Sequence, residues 1–395
     1  MKDSQHFRFL IPALLLIVMV TYFTSSLKAQ SSSTEPNQAV TDSVELVLLP
    51  ALAYNSDWGV VGGGILNRYS YKNEIKPFHS YFTVFALAST NGLFASSFFL
   101  DKPHAFGSDQ RLSFEAYLSR FFQNQYYGIG SYNKIDLEPE GNPEYYLYES
   151  FTSEIELILR RPIAGLNSGS TLDAYGILNA NYRTPLGKNT GTLIALDRPT
   201  GIDGAHTISF GSGLIWENRD SEFDPSTGSY AKIGFQMANE VIGSGYNYIT
   251  VEGDLRGYVP FHFVRDITFA NRLSFTHTYG SLPYWKLADL GGEETMRGYP
   301  ENRFLDDNVV FLNTELRTWL WEFSKYDIKL GGTLFADIGR TFSNRAALDN
   351  VFNDLKYTLG FGGNSSLFNE NFILRGDMGF SDEGYGIYFT AGYMF

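Results

Sequence analysis

The sequence predicts an all-β fold: a 16-stranded antiparallel transmembrane barrel, closed by a last strand that ends the chain at Phe395. Three observations predict it. The N-terminus has the layout of an export signal. The remainder alternates apolar and polar residues with period two, in runs of about 10 residues, the length of a tilted membrane strand. Aromatic residues make up 16% of the chain against only 18% charged, a balance unlike that of an ordinary soluble protein.

Lys2 and Arg8 precede an apolar stretch from Phe9 to Phe23, broken only by Pro12 and the Thr21–Tyr22 pair. Small and polar residues follow, and Ala29–Gln30 is a plausible cleavage point, so residues 1–29 read as a cleaved secretory signal peptide. The stretch is shorter than the roughly 20 residues a membrane-spanning helix needs. The chain has no cysteine, which excludes lipid attachment through cysteine and a disulfide scaffold. Residues 30–43 are polar and read as a periplasmic linker; residues 44–395 read as the barrel.

The formal charge is −13. Residues 1–29 carry Lys2, Arg8 and Lys28 against Asp3, which leaves −15 for the rest. Such a chain has no electrostatic footprint for nucleic acid. The acidity reads as solvated loops.

Sixteen runs follow in order. Their approximate spans are 44–54, 57–72, 77–90, 92–101, 111–125, 151–161, 171–184, 205–218, 228–243, 245–261, 263–279, 307–321, 327–341, 353–364, 370–381 and 384–395. The clearest have one apolar and one polar face. In the tenth, Ile249, Val251, Leu255 and Val259 oppose Tyr248, Thr250, Glu252, Asp254 and Arg256. In the twelfth, Val310, Leu312, Leu316 and Leu320 oppose Asn313, Glu315 and Arg317. In the thirteenth, Leu330, Leu334, Ala336 and Ile338 oppose Thr333, Phe335, Asp337 and Gly339. In the fifteenth, Leu374 and Met378 oppose Arg375 and Asp377. A soluble sandwich alternates too. Export, aromatic content and strand length favour the membrane barrel, with apolar residues toward lipid and a polar lumen. With both termini periplasmic, the long connections near 126–150, 185–204 and 280–306 all fall on the extracellular side.

The last of these contains LGGEETMRGYPENRF, Leu290 to Phe304. Its Met296, Arg297, Gly298 and Tyr299 resemble the hydrophobic–Arg–Gly–aromatic tetrad in the sixth extracellular loop of BamA/TamA-like outer-membrane proteins, the bacterial surface antigen superfamily. Three further segments carry the resemblance: Phe335-Ala-Asp337-Ile-Gly339, Asn313-Thr-Glu315-Leu316, and Trp216-Glu-Asn-Arg219-Asp220 with Pro225 and Gly228. It covers the C-terminal half in order and spacing; the N-terminal half matches only as strands. It implies that the sixth loop folds into the barrel and that Arg297 meets Asp337, with Glu315 a further partner. A buried carboxylate needs such a cation, and guanidinium offers a planar fork for it. The alternative is a solvated loop arginine. The family also carries periplasmic POTRA modules, for which residues 30–43 are too short. That leaves room for a separately encoded periplasmic partner.

The terminal segment GYGIYFTAGYMF puts Ile387, Phe389, Ala391, Tyr393 and Phe395 on one face. It resembles the signal by which barrel assembly machinery recognises its precursors, with Tyr393 and Phe395 at the paired apolar positions and Thr390 where a glycine is expected. An ordinary lipid-facing strand is the plainer reading.

Nothing points to an enzyme. His79, His104, His206, His262 and His277 are scattered without metal-ligand spacing, and Ser274 and His277 fall on opposite faces. Gly59–Gly64 lacks the Lys-Ser/Thr of a phosphate loop. Glu293–Glu294 and Asp306–Asp307 read as solvated loop charge, with a cation site the lesser alternative. No catalytic residue, cofactor or metal is expected. The expected partners are outer-membrane lipid, lipopolysaccharide and the assembly machinery. The expected function is insertion or translocation of a protein or lipid substrate through a plugged lumen and a seam between the first and last strands. Pro50, which removes a ladder donor, is compatible with a weak seam. The alternative is a passive channel or structural surface barrel.

Overall fold

The computed structural model describes residues 43–72, 78–130, 142, 144–165, 170–187, 190–325, 328–346, 353–367 and 373–395. The expected signal peptide and nearly all of the linker lie outside these residues.

Sixteen strands form one closed antiparallel barrel. They are β1 (Ser43–Asn55), β2 (Gly59–Tyr71), β3 (Ser80–Ser89), β4 (Leu93–Ala105), β5 (Gln110–Gln125), β6 (Leu147–Gly165), β7 (Thr171–Leu186) and β8 (Ala205–Glu217). They continue as β9 (Gly228–Ala238), β10 (Tyr248–His262), β11 (Asp266–Gly280), β12 (Asn308–Phe323), β13 (Ile328–Phe342), β14 (Lys356–Leu367), β15 (Ile373–Phe380) and β16 (Tyr385–Ala391). Each pairs with its sequence neighbour, and β16 returns to β1. The predicted runs match these strands one for one. Closure leaves no backbone edge to be buried in lipid without partners, except where the ladder itself is incomplete.

The alternating faces fall as the sequence predicts. Ile249, Leu255 and Val259 of β10, Leu312 and Leu316 of β12, and Leu330, Leu334 and Ile338 of β13 are exposed on the outside. Tyr248, Asn313, Glu315, Arg317, Thr333, Phe335, Asp337, Arg375 and Asp377 are buried inside. This is the inverted arrangement of a membrane barrel. A β-bulge between Trp319 and Trp321 shifts the parity of β12, so Trp321 comes to lie exposed.

The longest connections, after β5, β7 and β11, all follow odd-numbered strands, and they build a cap over that rim. The short helix α1 (Leu193–Asp197) places Ile194 among Tyr126, Tyr148, Tyr284 and Leu305. Between β11 and β12 the chain passes into the lumen. There Ala288–Leu290 pairs with Phe304–Asp306, and residues 291–303 form a loop at the end of this small ladder.

The closure of the barrel is uneven. β1 pairs with β2 along all of Ser43 to Asn55, but with β16 only at Asn55↔Tyr388. Ser56 adds a backbone bond to the Ile387 carbonyl at 3.0 Å, and its hydroxyl accepts from the Ile387 N–H at 2.8 Å.

The end of the chain departs from the sequence expectation. The strand does not run to Phe395 but stops at Ala391, and Gly392 takes φ +86°, in the left-handed region. Tyr393 and Phe395 therefore do not continue the outer face of Ile387 and Phe389. The last residues turn into the lumen, where Phe395 is buried against Tyr258 and Ala270. The reason is a better partner inside. Arg317 of β12 donates to the Phe395 carbonyl at 3.0 Å, and its guanidinium lies 4.0 Å from the Tyr393 ring centroid and 4.8 Å from that of Phe395.

A plug loop held on a buried ion network

The loop within the lumen carries Met296, Arg297, Gly298 and Tyr299, all buried. Arg297 is 0% exposed. Its Nε and Nη2 form a two-pronged contact with Asp337, at 3.0 and 2.9 Å, and its backbone N–H donates to the same carboxylate at 3.2 Å. Nη1 reaches Glu315 at 2.6 Å and Asp377 at 2.9 Å. The guanidinium lies over the ring of Phe335, 3.4 Å from its centroid.

So the residues named from the sequence, Arg297, Asp337 and Glu315, meet at one point. Asp377 was missed as a partner. Its inward face was legible from β15, but its height along the barrel depends on register, which places Gly362 of β14 opposite it. Two more arginines complete the network. Arg317 donates to Glu315 at 2.8 Å, and Arg375 forms an ion pair with Asp377, Nε to carboxylate oxygen 3.1 Å. Three guanidiniums thus face three carboxylates. Near-neutral composition matters here, because an unpaired charge at full burial costs several kcal/mol. Asn313 adds a bond to Asp337 at 3.0 Å and another to the Thr295 carbonyl at 2.8 Å.

The rest of the tetrad fits the backbone and core. Met296 packs with Leu290, Tyr299, Phe304, Val309 and Phe311. Gly298 has φ +104°, and a Cβ there would sit 2.9 Å from the backbone carbon of Gly379 on β15. Only glycine allows this approach. Tyr299 donates its hydroxyl to Asp382. Gly339 also makes room, since a Cβ on it would lie 2.7 Å from Phe311 Cβ and 3.1 Å from Leu290 of the loop.

The reading of Glu293 and Asp306 as solvated charge is corrected. Glu293 accepts from Asn55 Nδ2 at 3.0 Å and is partly buried, and Asp306 is buried at the base of the loop. Glu294 is exposed as expected. Near Glu293 lies a second group of carboxylates that sequence reasoning did not identify. Trp58 Nε1 donates to Glu301 at 2.9 Å, and the Glu301 N–H donates to Asp57 at 3.2 Å. Burial pushes Asp57 up to about 7, with Glu301 adding to the rise. Burial likewise lifts Glu293 to about 7 against the pull of Arg375, and Asp289 to about 7 with repulsion from Glu301 and Glu294. Among the described residues, no group of His, Cys, Asp and Glu has metal-binding geometry.

At the opposite rim, the turn between β8 and β9 is ordered by its own residues. Asp220 accepts from the N–H groups of Ser226 and Thr227 at 2.9 and 3.1 Å, and Arg219 pairs with Glu217 at 2.7 Å. Asp224 reaches β12, where it accepts from Trp319 Nε1 at 3.3 Å.

With this geometry in place, comparison with known proteins is informative. Residues 85–364 match the profile of the Omp85 superfamily domain. No curated protein matches the sequence. Among solved structures, BamA from Haemophilus ducreyi lacking POTRA domains 1–3 is similar at TM-score 0.58 and 12% identity, over 90% of this chain and 71% of that one. CdiB from Acinetobacter baumannii is similar at TM-score 0.55 and 14% identity, over 89% of this chain and 66% of that one. CdiB from Escherichia coli is similar at TM-score 0.60 and 12% identity, over 91% of this chain and 64% of that one. At such identities the likeness is one of fold.

Proposed function

The chain belongs to the Omp85 superfamily, and from that premise we propose that it is an outer-membrane barrel that assists insertion or translocation of a protein or lipid substrate. The lumen is closed by the Arg297 loop, and the working part is the seam between β1 and β16. The observation that carries the reading is the seam itself: two strands joined at the single pair Asn55↔Tyr388, in a barrel whose other neighbours pair along most of their length. A ladder that short costs little to separate, since each backbone bond contributes only about 1 kcal/mol net. The edge of β1 offers backbone donors and acceptors to an incoming strand or to lipid headgroups. In this reading, Arg297 with Asp337, Glu315 and Asp377 locks the loop, and Tyr393 and Phe395 belong to the signal read by the assembly machinery. Lipopolysaccharide and a separately encoded periplasmic protein are the other partners, and no enzymatic step is involved.

The test closes the seam covalently. Cysteines at Leu52 and Ala391 lie three residues along each strand from the paired positions, toward the short-turn rim where the two strands share no ladder pair. In a strain lacking the chain, the oxidised variant should fail to restore the outer-membrane protein and lipopolysaccharide profile, and reduction should recover it. Full complementation by the oxidised protein would overturn the seam reading.

A further inference from the structure

A pocket at the long-loop rim has no part in the ion network or in the pairing of β1 with β16. It has a volume of about 170 Å³ and is shared by three parts of the chain that meet only in the folded barrel. Tyr127 and Tyr146 come from the two ends of the connection between β5 and β6, Gly298 and Pro300 from the plug loop, and Glu383 and Tyr385 from the entry to β16. The aromatic walls run from depth to surface. Tyr127 is buried, Tyr146 half-buried and Tyr385 59% exposed. The Tyr127 and Tyr146 rings lie 5.1 Å apart, centroid to centroid, tilted by 40°. A Cβ on Gly384, also at the pocket, would meet nothing within 4 Å, so the space beside it is open.

Glu383 is the one charged group among the described residues that line the pocket, and it is held in place. Arg303 grips it with Nε and Nη2, each at 2.6 Å, and the Glu383 N–H donates to Ser381 Oγ at 3.2 Å. A carboxylate has about four acceptor sites, of which this fork takes about two. The rest remain for hydroxyl donors. The charge of Glu383 is matched by Arg303, which favours a neutral ligand over an ion. The Arg303 guanidinium also lies 5.4 Å from the Tyr127 ring centroid, so a cation already stands at the aromatic wall. That disfavours a second cation, the ammonium ligand that clusters of tyrosine otherwise suit. The ligand that fits is neutral, with an apolar face for the tyrosine rings and hydroxyls at its edge for the carboxylate. A cavity of about 150 Å³ takes one benzene-sized ring, so this pocket has room for a single sugar ring and little more.

We propose that this pocket binds one pyranose unit at the cell surface, and only while the plug is docked. Gly298 and Pro300 form part of its wall, so release of the loop dismantles the site. By linkage, an occupied pocket holds the loop in place. The site stands apart from the seam reading, because it uses the outer end of the plug and requires no strand to separate. The sugar is either a terminal unit of lipopolysaccharide or a free saccharide, and the chemistry of recognition is the same for both.

The intact barrel in phosphatidylcholine nanodiscs, free of sugar detergents, tests this by saturation-transfer difference NMR. The probes are methyl glucopyranoside, methyl galactopyranoside, methyl mannopyranoside and N-acetylglucosamine, with acyclic glucitol and choline as controls. At least one pyranose should show transfer, and glucitol and choline none. Tyr385→Ala and Tyr146→Ala should each weaken binding about tenfold, as the loss of one aromatic contact does. Tyr385 is exposed, so its variant keeps the folded barrel, read as unchanged heat-modified mobility. The bound pyranose should raise the urea concentration at which protease cuts within residues 290–304, in the parent but not in Tyr385→Ala. Competition by the polysaccharide released from lipopolysaccharide assigns the site to that source, and binding of the monosaccharide without such competition assigns it to free sugar. The proposal is overturned if no pyranose shows transfer to the parent, or if glucitol or choline binds as well as the pyranose. It is equally overturned by unchanged affinity in both tyrosine variants, or by a bound pyranose that leaves release of the loop unaltered.

Discussion

Arg297 has three carboxylates within hydrogen-bond reach, and their burial sets what its loss costs. Arg297→Ala leaves Asp337, Glu315 and Asp377 with a cation missing, a change worth about 3–5 kcal/mol in buried pairs. The expected outcome is protease cleavage within residues 290–304 and a lower yield of heat-resistant folded barrel. Arg297→Lys keeps the charge but loses the two-pronged contact, so it should fall between the two. The carboxyls of Asp57, Glu293 and Asp289 add a pH dependence. Each is raised to about 7 in the docked loop, from about 4 when solvated. A raised carboxyl favours docking fully below its solvated value, and that contribution is lost as pH rises toward 7. The loop should therefore resist urea-induced release better at about pH 5 than at about pH 8. Asp57→Asn with Glu293→Gln should flatten the difference, with Glu301, Glu294, Arg375 and Arg183 remaining as the charges that face the cluster. An unchanged slope in that variant would assign the dependence elsewhere.

At the scale of elements, the loop and β15 meet backbone to backbone. A Cβ on Gly379 would lie 2.6 Å from the Arg297 carbonyl oxygen, and neither chain can yield without moving the ion network. Gly379→Ala should cost about 1–3 kcal/mol of stability, as overpacking does. Gly363→Ala on neighbouring β14 meets nothing within 4 Å and serves as the neutral control. Both are read as the midpoint of heat-modified mobility. The inward tail makes its own prediction. Arg317→Ala removes the cation beneath Tyr393 and Phe395, so carboxypeptidase should release Phe395 faster from that variant than from the parent. Equal rates would mean that Tyr258 and Ala270 hold the tail unaided. The turn at Gly392 was hidden in the sequence. Period-two alternation runs on through Tyr393 and Phe395, and nothing local distinguishes a strand that stays in the wall from one that leaves it.

For the whole molecule, the plug decides between a passive channel and a gated barrel. Deleting residues 290–304 should raise planar-bilayer conductance from small and intermittent to large and steady. Equal conductance with and without the loop would mean that the lumen is closed by something else, or that the loop does not lie in it. Much of the architecture was legible in the sequence. Sixteen alternating runs specified the strands, their order and their inner and outer faces, because alternation is a local consequence of the pleat and of what lies on either side of the wall. The tetrad and the Asp337 and Glu315 segments pointed to the partners of Arg297. The rest was decided by tertiary structure. That Asp377, Arg375 and Arg317 join the same network depends on the relative heights of strands β12, β13 and β15. That Glu293, Glu301 and Asp57 crowd at one end of the seam depends on how deep the loop sits. That β1 keeps one pair with β16 depends on a tail drawn inward by an arginine 78 residues away in sequence. Faces are set residue by residue along one strand, but register, depth and closure are set between strands, where distant side chains compete for the same partners.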